Sequence, residues 1–237
     1  MLVSERTLAV GHRGAPMLAT ENTLPSIDAA IAAGADWVEV DVKLTRDQVP
    51  VLLHDRTLHR IWGVGSPVAD IDLAGLPGRA ARPGAGVSER CVPTLHEALD
   101  FIKGRGIRLL IDVTAGPEGA ASVRLAADLG RMDEVAFTGD TEALALVRAE
   151  APDAVITMTW ENPVLPGEAL FARIRPQYLN QPWILLDEMV IERVHASGRL
   201  VATYTVDDRD RMRWLAEAGV DAITSNDIAA LVALLAA

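Results

Sequence analysis

The chain has 237 residues, 50% hydrophobic and 23% charged, with a formal net charge of −11. That apolar content excludes a disordered chain and supports one large core; the acidic balance and scattered Lys and Arg residues exclude a basic surface for nucleic acid or an anionic membrane. One cysteine, Cys91, excludes an internal disulfide and a cysteine-based zinc cluster.

The N-terminal residues carry no basic and apolar export segments, and no apolar run approaches the ~18 residues of a membrane span. The expectation is a soluble, cytoplasmic protein with no nucleic-acid partner and no stable membrane association. Nothing in the pattern specifies an oligomeric state.

In chain order, a strand over 8–12 runs into Gly11-His12-Arg13-Gly14, and Thr23 is placed to cap a helix over 24–33, with Pro25 in its first turn and Gly34 behind it. A strand over 37–42 follows, then a turn too short for a helix, then a strand over 50–54 that ends in His54. Residues 57–90 hold nine Gly and Pro residues, counting from Gly63 to Gly86, and show little period, which predicts an insertion or lid over the strand ends, or else a surface excursion.

Beyond it, strands are predicted at 107–113, 134–138, 154–158, 177–181, 200–205 and 221–225, with helices at 95–103, 119–129, 141–150, 207–218 and 226–235. Sustained alternation of strand and helix predicts a parallel sheet with helices outside. The length is close to the ~250 residues of a closed barrel. The expected architecture is therefore a single α/β domain spanning 1–237, an irregular (β/α)8 TIM barrel with a small insertion after the third strand. Nine strands is one more than such a barrel takes, so one is expected outside it or misassigned.

Side chains alternate along a strand, so Trp37, Glu39 and Asp41 share one face while Val38, Val40 and Val42 share the other. With the valines under the helices, Glu39 and Asp41 point into the lumen near its C-terminal end, where barrel active sites form. Asp112 ends the strand over 107–113 in the same way. Three carboxylates brought together without counter-charge are unfavourable; raised pKa values, an arginine or a cation must relieve them. Hard oxygen ligands without cysteine favour Mg²⁺ or Ca²⁺, with Mn²⁺ also compatible.

His12 and His54 both sit at strand ends, and P–O cleavage needs an acid for the leaving alkoxide and a base for the nucleophile. Arg13 offers a fork of donors suited to phosphate oxygens. His59, His96 and His195 fall in the long loop or in helical pattern, and are read as surface or structural.

These residues resemble the glycerophosphodiester phosphodiesterase family, a branch of the phosphatidylinositol-phospholipase-C-like barrels. The match runs through Gly11-His12-Arg13-Gly14, Glu21-Asn22-Thr23, residues 34–42, 45–51, His54-Asp55, Leu58 and Arg60. It continues in Val92-Pro93-Thr94-Leu95 and, near the end, in residues 203–207 and Gly219-Val220-Asp221. The resemblance implies a barrel with a small insertion and hydrolysis of a small-molecule glycerophosphodiester to glycerol 3-phosphate and an alcohol. It also implies one divalent cation held by Glu39, Asp41 and Asp112, with His12 and His54 as the acid/base pair and Arg13 on the phosphate. Attack by the substrate's own 2-hydroxyl, through a cyclic phosphate, and direct attack by water both remain open.

The chain departs from the family pattern at four places. Asp112-Val113-Thr114 stands where Glu-x-Lys is usual, Ile61-Trp62-Gly63 where threonines are common, Tyr204 where Trp is usual, and Ser225-Asn226 where Thr-Asp is common. Two other readings therefore stand beside the first: phospholipase-D-like action on lysophospholipids, which wants an apolar entrance, and a barrel that binds a phosphodiester without turnover.

Overall fold

A computed structural model of the protein describes residues 6–79 and 91–236. Eight parallel strands close a barrel. β1 (Leu8–Gly11) pairs with β2 (Trp37–Leu44) on one side and β9 (Ala222–Ser225) on the other. The circuit runs from β2 through β4 (Arg108–Val113), β5 (Val135–Gly139), β6 (Ile156–Thr159), β7 (Tyr178–Pro182) and β8 (Leu200–Tyr204) to β9. The ninth strand, β3 (Pro50–Leu52), lies outside, antiparallel to the overhanging end of β2, with Val42 opposite Leu52 and Leu44 opposite Pro50.

The alternation within β2 decides the layers. Val38, Val40 and Val42 are fully buried, together with Leu109, Ile111 and Val113 of β4, in the core between sheet and helices. The opposite face turns Trp37 and Leu110 into the lumen, where they meet Val10, Ala136, Tyr178, Leu200, Ala202 and Ala222. Trp37 and Tyr178 pack edge to face, ring centroids 5.7 Å apart, so the lower barrel is a solid apolar plug.

The outer ring comprises α1 (Leu24–Ala32), the single-turn α2 (His59–Trp62), α3 (Leu95–Ile102), α4 (Gly116–Asp128), α5 (Thr141–Glu150), α6 (Glu168–Ile174), α7 (Glu188–Ala196), α8 (Arg209–Glu217) and α9 (Ile228–Leu235). Polar caps start them where the strands end. Thr23 accepts from the Ser26 amide, Thr94 and Glu97 form a capping box, and Asp140 accepts from the Glu142 and Ala143 amides.

Part of the 57–90 stretch has structure that its composition does not announce. Residues 57–79 form α2 and two short 3-10 turns, and Leu58, Val68 and Leu76 are buried with Val51, Leu53 and Val92 in an apolar cluster of their own. The remainder, 80–90, lies outside the described residues, as do residues 1–5 of the N-terminal reading. Among the described residues no helix is long and apolar enough to cross a membrane.

Candidate active site

Glu39, Asp41 and Asp112 meet at the C-terminal mouth of the barrel, where carboxylate oxygens from the three residues lie within 4.8 Å of one another. Register makes this possible: Asp41 and Asp112 are direct partners across β2 and β4, and Glu39 lies two residues lower on the same face. Gly139, at the end of β5, has φ +119, and a Cβ there would collide with the Val113 carbonyl and the Asp112 carboxylate. Glycine therefore leaves Asp112 its place.

The three acids differ in what holds them. Asp41 accepts from Asn22 Nδ2 at 2.7 Å, donates its own amide to Asn22 Oδ1 at 3.0 Å, and pairs with Arg13 Nε at 3.2 Å. Glu39 accepts the Arg13 amide at 2.8 Å. Asp112 Oδ1 is buried without a hydrogen-bond partner. Burial, then repulsion from Asp41 and Asp112, pushes Glu39 well above its ordinary value. Burial, followed by the Asp41 charge, lifts Asp112 to about 6. One guanidinium against three carboxylates leaves an uncompensated, oxygen-only cluster with an orphaned acceptor, a donor set that fits a hard divalent cation.

The motifs around the cluster brace it. Arg13 (φ +53) and Asn22 (φ +55) both lie in the left-handed region, so the loop between β1 and α1 is folded tightly back onto β2. Gly14 sits against Ser26, whose hydroxyl donates to the Arg13 carbonyl at 3.0 Å. Arg13 is 2.9 Å from Glu21, and Arg60 donates to Glu21 and to Asp55. Asp55 in turn lies 2.7 Å from His54 Nδ1. A chain of ion pairs thus runs from the acidic cluster to His54, with Arg60 from α2 as its bridge.

The structure places the two histidines differently. His12 lines a cavity of about 460 Å³ that also takes in Glu39 and Asp112. Its Nδ1 lies 2.8 Å from Asn226 Oδ1, and Asn226 is anchored through its amide nitrogen atoms to Asp207 at 2.8 Å. Burial lowers the His12 pKa, outweighing the Asn226 bond. His54 stands at the rim, its side chain 45% exposed. Its partner Asp55 is held down to about 2, chiefly by the Arg60 hydrogen bonds. Arg13 lies beside the acids and is tied to them, not on the cavity lining.

Sequence reasoning singled out Glu21, Asn22, Arg60 and Asn226 only as parts of motifs. Their roles appear in the contacts. The far wall of the cavity, built by Thr138, Thr159, Glu161, Asn180 and Tyr204, drew attention only through Tyr204. It is assembled from strand ends distant in sequence, and no local spacing marks it.

The chain matches the family model described as the glycerophosphoryl diester phosphodiesterase family over residues 12–230. It is 25% identical to the glycerophosphodiester phosphodiesterase of Caldanaerobacter subterraneus subsp. tengcongensis over 238 aligned positions, covering 97% of this chain and 98% of that one. Its fold is similar to an Oleispira antarctica phosphodiesterase solved with the product sn-glycerol-3-phosphate (TM-score 0.88, 23% identity, 98% of both chains covered). It is also similar to the Thermotoga maritima glycerophosphodiester phosphodiesterase (TM-score 0.80, 21% identity, 97% of this chain and 99% of that one). With its barrel, its acidic cluster and this match, the chain belongs to the glycerophosphoryl diester phosphodiesterase family.

Proposed function

We propose that the protein is a cation-dependent phosphodiesterase that converts small glycerophosphodiesters to glycerol 3-phosphate and an alcohol. The observation that carries this is the meeting of Glu39, Asp41 and Asp112 beside His12 in one cavity of a family barrel. Glu39, Asp41 and the unpartnered Asp112 oxygen would hold one Mg²⁺, Ca²⁺ or Mn²⁺ ion. When bound, the ion supplies positive charge against the phosphate oxygens.

The histidines then divide the proton work. With Nδ1–H donated to Asn226, a neutral His12 presents a bare Nε2, and its lowered pKa keeps it so near neutrality. It accepts the proton of the attacking hydroxyl, whether from water or from the substrate's 2-position. As the bond from phosphorus to the leaving oxygen breaks, that oxygen takes a proton from Nε2 of His54, whose Nδ1 is held by Asp55. Arg13 holds Asp41 and the loop, and from beside the acids its guanidinium would face the phosphate of a bound substrate.

The deciding assay follows release of glycerol 3-phosphate from glycerophosphocholine and glycerophosphoethanolamine, with each metal or with chelator, beside His12→Ala. Release that needs metal and vanishes in the variant is expected. No release under any condition would sink this reading and leave a lipid substrate or a binding barrel.

A second reading rests on a specific observation. Met17, Leu18, Val164, Ile184 and Met189 are each at least 60% exposed, and all lie just beyond the C-terminal ends of barrel strands. Exposed apolar side chains in the segments that leave the barrel mouth suit the acyl chain of a lysophospholipid. Choline release from lysophosphatidylcholine, with none from glycerophosphocholine, would favour it.

A further inference from the structure

The cavity wall opposite His12 carries an inference that rests on the phosphodiesterase reading and deepens it. Among the described residues, neither lysine nor arginine lines this cavity; besides Glu39 and Asp112, its charged lining groups are Asp140 and Glu161. Asp140 is occupied as the cap of α5, its Oδ1 accepting two backbone amides. Glu161 has one partner in the cavity, the Tyr204 hydroxyl, which donates to Oε1 at 3.1 Å. A single phenol does not neutralise a carboxylate, and the burial and carboxylate neighbours of Tyr204 raise its own pKa, so the phenol stays a donor.

A second observation points to a ligand on the same wall. Asn180 lies on β7 two residues above Tyr178, on the same lumen-facing side, and is 6% exposed. Its Nδ2 reaches Thr159 Oγ1 at 3.4 Å, while its Oδ1 is buried with no hydrogen-bond partner although it belongs to a cavity-lining residue. A buried acceptor left unpaired is costly, and a donor arriving with the substrate removes that cost. Trp160, fixed by its Nε1 bond to the Val164 carbonyl at 2.8 Å, adds aromatic surface at the edge of the wall.

Negative charge, an unpaired acceptor and aromatic surface together match a group that is cationic and rich in N–H or polarised C–H. We propose that Glu161, Asn180 and Tyr204 form the subsite for the alcohol half of the substrate and select an alcohol bearing an ammonium group, of the ethanolamine or choline kind, over a neutral alcohol of equal size.

The test compares glycerophosphoethanolamine with glycerophosphopropanol, a neutral diester of similar bulk, on the wild-type protein and on Glu161→Gln, whose exposed position makes it tolerant of the change. The expected result is a kcat/KM about 10-fold higher for the cationic substrate, expressed mainly in KM, with the ratio collapsing toward one in the variant. Equal kcat/KM for the two substrates on the wild-type protein overturns the subsite, as does a variant that lowers both equally, since a merely structural Glu161 would act on both. Asn180→Asp sharpens the result, because added negative charge at the orphaned acceptor should raise the ratio. Hydrolysis of neither substrate is a different outcome: it removes the phosphodiesterase reading itself, and the subsite with it.

Discussion

Trp37 and Glu39 are two residues apart on one strand and face the same lumen, yet they serve opposite ends. At the bottom, Trp37 meets Tyr178 and a ring of apolar side chains; at the top, Glu39 meets Asp41 and Asp112 with one guanidinium between them. The lower layer satisfies itself and contributes stability. The upper layer is left unsatisfied, and a cluster of like charges is stable only when something arrives to neutralise it. The barrel thus separates cohesion from chemistry within about 7 Å of strand.

Removing a proposed cation ligand at the top breaks the comparison hardest. Glu39→Gln or Asp41→Asn should leave the chain folded and lower kcat/KM about 10³-fold or more, as chelator should do to the parent, read by glycerol 3-phosphate release. At the bottom the effect has the other character. Trp37→Ala should cost about 3–5 kcal/mol in urea unfolding, while the remaining folded protein keeps the parent's KM.

Between these lies the brace. Asn22→Ala removes both hydrogen bonds to Asp41 and should weaken cation affinity about 10- to 100-fold, measured by calorimetry. A smaller effect sharpens the electrostatics. Asp112 titrates at about 6 against an ordinary 3.8. Its proton therefore stabilises the metal-free fold fully below about pH 4, and that contribution is lost as pH rises through about 6. Stabilisation by saturating Mg²⁺ should accordingly grow between about pH 5 and 7, by no more than about 1.4 kcal/mol per unit for this group. Asp112→Asn should flatten that slope in urea titrations with and without the ion.

The period-two pattern of β2 and β4 made the acidic face legible, because alternation records which side of a strand is buried regardless of what lies across from it. Thr23, Pro25 and Gly34 likewise bounded α1 from chemistry that is local to a helix end. The surplus strand was visible in the chain as a count of nine, but not its identity: β3 has strand composition, and only its antiparallel register against the overhang of β2 sets it outside the closed sheet. Glycine and proline likewise hid the packing of 57–79, since its apolar residues are spaced by turns and carry no period.

The sequence by itself determined the repeating strand-helix architecture and the shared face of Glu39 and Asp41, because these follow from periodicity, and its short motifs carried the family resemblance. The tertiary structure decided the rest: that Asp41 and Asp112 stand side by side, that Arg13 is spent on Glu21 and Asp41, that Arg60 links the acids to His54, and that Glu161, Asn180 and Tyr204 share a wall. Each of these joins residues far apart in the chain, and their neighbourhood is set by strand register and barrel closure, which no local pattern encodes.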